Sequence, residues 1–208
     1  MGGGPDAPLA GAVPLTDTDA TLVTVSAAGQ VKRTALGEYA EAKQRSLQAA
    51  GVKGDDRIVA VTRCRDDDHL LLANDAGLVA RFPAGEARVM GRSAAGVAGM
   101  KVPAGAEVVS ATVVPGGSDE GEVATVSADG TVKRTPLAEY PAKGRGGKGV
   151  VTGTDALLWC GVARDLHVHG ERPQVLRPVD LPEARRAGRG AAVEEPVAGP
   201  VVVEDGED

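Results

Sequence analysis

The sequence predicts an all-β, propeller-like fold of about three tandem units, and two observations carry that expectation. The first is a repeat. Residues 23–39, VTVSAAGQVKRTALGEY, return as residues 124–140, ATVSADGTVKRTPLAEY, with 12 identities in 17 positions at an offset of 101. A weaker copy, NDAGLVARFP at 74–83, lies between them, its Gly77 48 residues after Gly29 and 53 before Gly130. A period of about 50 residues falls in the range of propellers and related arrays. The second observation is local pattern. The units are rich in β-branched residues and glycine turn signals, and no helical stripe is sustained. Each unit holds three to four strands, the content of one blade. A lone sheet leaves one face uncovered, so neighbouring units must stack.

Taken in order, residues 1–20 are rich in Gly, Pro, Ala and Asp and read as a flexible linker. The repeat region is placed at 21–181, with units at about 21–68, 69–121 and 122–170. In the first unit, strands are expected at Thr21–Ser26, Gln30–Thr34 and Arg57–Arg63, with a turn at Ala27-Ala28-Gly29. In the second they are expected at His69–Ala73, Leu78–Phe82 and Glu107–Val114. The third starts with Thr125-Val126-Ser127 and turns at Ala128-Asp129-Gly130, where Asp-Gly supplies positive φ. It continues through Thr131–Thr135 and closes near Asp155–Val162. Pro136 ends its ladder because it has no N–H to donate. A fourth unit begins at Leu166–His169 but does not continue in repeat form, and residues 182–208 read as a disordered acidic tail.

Composition limits the function classes. Aromatic residues are 2% of the chain, so the core is built from Val, Ala and Leu. There is no apolar run long enough to span a bilayer and no basic signal-peptide start, so a cytoplasmic protein without membrane contact is expected. Cys64 and Cys160 lack metal-ligand spacing and read as buried free thiols, with a disulfide as the alternative. The net charge is −6, but three Asp in residues 1–20 and six acids in residues 191–208 stand without any base. The central region is then about +3, and patches decide binding more than the sum does. The acidic end is expected to compete with an anionic ligand for the basic loops, as a tethered opposite charge does.

The candidate chemistry lies in Lys143-Gly144-Arg145-Gly146-Gly147-Lys148-Gly149. Three cations spaced by glycines let a phosphate approach the backbone N–H groups while Lys and Arg neutralise it. A solvated basic loop is the alternative reading. Lys43 and Arg45 hold the same place in the first unit, Arg92 and Lys101 in the second. Lys32-Arg33 and Lys133-Arg134 are strand residues, so one of each pair is expected to face outward and its partner to pack its stem, divided between contact and structure. Tyr39 and Tyr140 recur at equivalent positions and read as blade anchors. His69, His167 and His169 form no triad or metal pattern, Asp66-Asp67-Asp68 reads as a solvated loop, and no phosphate-binding P-loop occurs. No cofactor or metal is expected.

The motif Gly-x-Val-Lys-Arg-Thr-x-Leu-x-Glu-Tyr, the run Lys143–Val150 and the loop Gly91–Lys101 resemble the C-terminal domain of the DNA gyrase A subunit or of its topoisomerase IV counterpart, over roughly residues 20–170. Gly144–Gly149 matches the later part of that family's Gln-Arg-Arg-Gly-Gly-Lys-Gly box, and it stands in the third unit here rather than the first. The resemblance implies a β-pinwheel that binds and bends duplex DNA around a basic rim, without specificity and without chemistry of its own. It implies Lys32, Arg33, Lys43, Arg45, Arg92, Lys101, Lys133, Arg134, Lys143, Arg145 and Lys148 as DNA contacts. The partners implied are duplex DNA, the rest of a topoisomerase A subunit, and an ATPase B subunit, since the catalytic tyrosine domain and the ATPase are not in this sequence. The family ring has five or six blades, so about three make a partial ring whose open edges are expected to self-associate. The alternative function is a protein-interaction propeller fragment that does not bind DNA.

Overall fold

The computed structural model describes residues 10–15, 19–40, 47–162, 165–169, 173–192 and 202–204. Four β-sheets succeed one another along the chain, three of them four-stranded and the last three-stranded. Each begins with a hairpin. The first joins β1 (Thr21–Ser26) to β2 (Gln30–Ala35) and is flanked by β3 (Ile58–Cys64). The second joins β4 (His69–Asn74) to β5 (Leu78–Pro83); β6 (Val97–Ala98) follows, and β7 (Val108–Val114) flanks β4. The third joins β8 (Glu122–Ser127) to β9 (Thr131–Pro136), with β10 (Val150–Val151) and then β11 (Leu157–Gly161) after it. The fourth joins β12 (Asp165–His169) to β13 (Pro173–Leu176), with β14 (Ala191–Ala192) and β15 (Val202–Glu204) after it.

The fourth strand of each complete sheet comes from the following repeat. β6 pairs with β2, placing Val97 opposite Val31. β10 pairs with β5, placing Val150 opposite Val79. β14 pairs with β9, placing Ala191 opposite Val132. Neighbouring blades are therefore laced together by backbone as well as by side chains. Glycine makes the close approach possible at each crossing: a Cβ on Gly96, Gly149 or Gly190 would stand 2.6, 2.5 or 2.2 Å from the carbonyl oxygen of Val31, Val79 or Val132.

Strand alternation sends one set of side chains toward each neighbour. Val23, Val25 and Val31 pack against Leu70, Leu72, Leu78 and Phe82. Leu71, Ala73 and Val79 meet Val123, Leu137 and Tyr140, and Ala124, Val126 and Val132 meet Trp159 and Leu181. The hairpin turns are seated too. Gly29 O accepts hydrogen bonds from Gly99 N (2.8 Å) and Met100 N (3.3 Å), while Ala27 O accepts one from Val108 N at 2.9 Å. One blade on, Gly77 O accepts from Thr152 N at 2.9 Å and Asp75 O from Leu157 N at 3.2 Å.

The fold is all-β, as expected from the repeat. Two expectations are corrected. The fourth unit does continue in repeat form, with a second strand, a short 3-10 turn at Pro178–Asp180 and a strand handed back to the third sheet. Residues 182–192, read as part of a disordered tail, are built into that structure by bonds such as Ala184 N to Arg134 O (3.0 Å) and Gly188 N to Arg185 O (2.8 Å). The tail is acidic only beyond Ala192, and that composition masked the basic, glycine-containing run ahead of it. Most of the 1–20 linker and most of the acidic end lie outside the described residues.

Two outcomes test this packing. Gly77 has φ +73°, and a Cβ there would sit 2.3 Å from Thr154 O. Gly77→Ala is expected to cost more than about 1 kcal/mol in chemical denaturation, because both the backbone region and the space exclude it. Cys64 and Cys160 are buried and free, and burial pushes both thiols above their ordinary pKa. Alkylation at about pH 8 should follow global unfolding, since the thiolate is the reactive form.

Candidate nucleic-acid interface

The repeats carry their cations at two places, strand and loop, and the structure gives them different work. On the strands, Lys32, Arg33 and Lys133 are 1%, 2% and 0% exposed. Lys32 Nζ donates to Ala49 O (2.5 Å) and Arg92 O (2.6 Å). Lys133 Nζ donates to Thr152 O (2.5 Å), Arg186 O (2.6 Å) and Gly188 O (2.7 Å). Ala49 and Thr152 are equivalent in their repeats, and so are Arg92 and Arg186. Each lysine thus ties the loop of its own repeat to the loop of the next. Burial pushes both ammonium pKa values below the ordinary lysine value, so the surrounding carbonyl dipoles are what keep the charge inside.

The arginines do parallel work. Arg33 Nη1 donates to Ala84 O (3.0 Å) and pairs through Nη2 with Asp66. Arg81 Nη1 donates to Tyr140 O (3.2 Å) and Asp119 (2.7 Å). Arg134, half-buried, donates from Nε to Leu181 O (2.9 Å) and pairs with Glu122. Each reaches the 3-10 corner of the next repeat. The expectation that one residue of each pair faces outward is corrected: in a stack both faces of a strand are covered, so Lys32, Arg33 and Lys133 are buried, and of the four only Arg134 is partly exposed. Arg134 is bound to the same kind of partners.

The loops lie outside and touch one another. Gly51 N donates to Ala94 O at 3.0 Å. Gly146 N donates to Gly99 O at 2.6 Å and Lys101 N to Gly147 O at 2.8 Å. Arg186 Nη1 donates to Val151 O, and a Cβ on Gly153 would lie 2.4 Å from Ala187 O. The segments 47–54, 87–101, 141–153 and 183–190 therefore form one continuous band.

Along this band Lys101, Lys143, Arg145 and Lys148 are exposed. Arg145 is fixed in place: its backbone N–H donates to Glu86 Oε2 (2.8 Å), its Nε to Glu86 O (2.9 Å) and its Nη1 to Ala98 O (3.0 Å). Arg92 is half-buried beside Glu38 at 3.9 Å. Lys43 and Arg45 lie outside the described residues. Arg185 and Arg189 are exposed on the fourth loop and were missed by the sequence reading. The signal was present: Pro182–Ala192 follows Pro141–Val151 at an offset of 41, with Gly188-Arg189-Gly190 under Gly147-Lys148-Gly149.

No catalytic grouping accompanies the band among the described residues. Tyr140 is buried in the core and its hydroxyl pKa is pushed upward by burial, while Tyr39 donates to Ala49 O at 3.0 Å. Among the described residues no group of three His, Cys, Asp or Glu side chains is placed to hold a metal ion, and no helix is long and apolar enough to cross a membrane.

Comparison with known proteins places this arrangement. The family model described as DNA gyrase C-terminal domain, beta-propeller matches residues 20–65, 68–115 and 121–153, more than half of the chain. The chain belongs to this family. A DNA gyrase A subunit from Deinococcus deserti is 41% identical over 126 residues, which is 60% of this chain and 16% of that protein. One from Klebsiella oxytoca is 36% identical over 127 residues, 61% of this chain and 14% of that protein. The chain thus spans about one sixth of the length of these relatives. Among solved structures, the C-terminal domain of DNA topoisomerase IV superposes with a TM-score of 0.82 at 25% identity, covering 91% of this chain and 64% of that one. A DNA gyrase A C-terminal domain gives 0.75 at 19% identity, covering 89% and 66%, a likeness of fold.

The buried lysine yields a direct test. Lys133→Met keeps the stem but leaves buried carbonyls without their donor, and a cost of about 1–3 kcal/mol is expected in urea denaturation. Lys143→Met, in the exposed loop, should change stability by less than about 0.5 kcal/mol.

Proposed function

We propose that the chain binds duplex DNA without sequence preference along the loop band and bends it, as the C-terminal part of a type II topoisomerase A subunit that works with an ATPase B subunit. The observation that carries the reading is the continuity of the band. Lys101, Lys143 and Lys148 project from loops that are hydrogen-bonded to one another, with Arg185 and Arg189 on the next loop. Phosphate contact needs cations at intervals along a curved path and no base-reading element, and such contacts account for most non-specific affinity. Glycine adds access. A Cβ on Gly144 or Gly147 would meet no atom nearer than 3.8 or 3.6 Å, so packing does not demand glycine at either place. Their lack of side chains leaves the backbone open to a phosphate oxygen. Family membership and the 41% identity to a gyrase A subunit support the same reading.

Replacing Lys101, Lys143 and Lys148 together by Ala is expected to weaken binding about equally for every duplex sequence. The slope of log K against log salt should flatten by roughly 2–3, near 0.9 for each phosphate no longer neutralised. Fluorescence anisotropy over a salt series measures both. An unchanged affinity and slope, with folding intact, would exclude the band as the DNA site and favour an interaction module.

A further inference from the structure

The strand handovers leave one donor and one acceptor over. Three sheets receive a two-residue strand from the next repeat, at β2, β5 and β9. The fourth sheet has three strands in the order β13-β12-β15, so β13, the counterpart of β2, β5 and β9, is an edge among the described residues. At the other end, Leu47-Gln48 is the first repeat's counterpart of β6 and β10, and it pairs with no strand among the described residues. That equivalence is fixed by matching bonds: Gly51 N to Ala94 O corresponds to Lys101 N to Gly147 O, and Asp56 N to Lys53 O corresponds to Ala106 N to Pro103 O.

Side chains repeat the mismatch. Val31, Val79 and Val132, buried at 0%, 1% and 3%, have Val175 as their counterpart on β13, and Val175 is 57% exposed. Val102, which touches the turn glycine Gly29, has Val52 as its counterpart, and Val52 is 47% exposed. Beside Val52 lies a cavity of about 270 Å³ lined by Lys32, Ala50, Gly51, Asp56 and Ile58. Its place is the one where the second and third blades receive the hairpin turn of the blade before.

We infer that this chain associates head to tail, the last blade of one copy seating on the first blade of another. Leu47 of one copy pairs opposite Val175 of the next, as Val97 does opposite Val31, and the incoming blade covers Val52. Both surfaces are present on every copy and they differ from each other, so the contact is heterologous and builds rings or chains. It is strand addition at an open edge, continuous in register with three seams already made inside the chain. The inference does not depend on DNA binding.

Sedimentation velocity of the intact chain tests it. The wild type should gain mass with concentration across the micromolar range. Val175→Asp and Val52→Asp, both at exposed positions, should each stay monomeric with unchanged melting, and Val175→Lys should reproduce the first. Mixing the Val175→Asp and Val52→Asp chains should restore association but stop at a one-to-one pair, since each retains one good surface. A wild type that stays monomeric overturns the inference. So does a Val175→Asp chain that still self-associates, or a mixture that forms no pair.

Discussion

The structure depends on positive charge placed inside it. A Lys-Arg pair on the second strand of a blade reaches into the next repeat and takes hold of backbone carbonyls: Lys32 on Arg92 O, Arg33 on Ala84 O, Lys133 on Arg186 O, Arg134 on Leu181 O. The carboxylates near these arginines matter less. The Asp66 and Asp119 side chains are largely exposed, and such pairs are screened to about 0–1 kcal/mol. Hydrogen bonds from a charged, buried donor contribute about 1.5–3 kcal/mol each and leave unsatisfied carbonyls when removed. In a chain with so few aromatic residues, small apolar side chains fill the seams, and the cations fix how successive repeats are registered.

This placement joins stability to the proposed binding. Lys32 and Lys133 each hold the loop of their own repeat and that of the next, and Arg145 and Arg186 brace their own loops from the side, so the outward lysines stand on an ordered support. The strand cations Lys32, Arg33 and Lys133 are buried, whereas the loop lysines Lys101, Lys143 and Lys148 are exposed. A formal charge of −6 is compatible with a basic band because the termini hold nine of the 29 acids and no Lys or Arg, and field strength near a surface follows local arrangement.

The long strands of the first two units were legible in the sequence to within one residue, since β-branched runs ended by glycine turns have few alternative readings, whereas β8 starts at Glu122, ahead of the expected Thr125. Stacking was legible from the repeat. The strand handover was not, because two residues such as Val97-Ala98 carry no periodicity. The burial of Lys32, Arg33 and Lys133 was hidden for a related reason: alternation assigns one face to solvent, and only the stack reveals that neither face is. The fourth repeat was missed because Leu176 replaces the lysine of Lys32 and Lys133, the hairpin-to-loop spacing shortens, and an acidic composition follows directly. For the handover and the buried cations the missing information was tertiary; for the fourth repeat the signal, Gly188-Arg189-Gly190 under Gly147-Lys148-Gly149, stood in the sequence.

The second blade shows how the same seam is made without the lysine. Ala80 stands where Lys32 and Lys133 stand, and the loop it faces is the most glycine-rich of the band. There the support comes from the loop itself. Arg145 grips Glu86 O and Ala98 O, Glu86 accepts the Arg145 N–H, and Gly146 N donates to Gly99 O at 2.6 Å. Arg186 keeps the corresponding bond to Val151 O, and its N–H meets Glu139 at 2.7 Å, so the third seam uses both devices. Glycine in this loop therefore does two separable things. Gly149 is required by packing, because Val79 O lies where its Cβ would be, whereas a Cβ on Gly144 or Gly147 would make only ordinary van der Waals contact. Loss of the buried lysine thus coincides with the most glycine-rich loop of the band, which Arg145 braces from its own side.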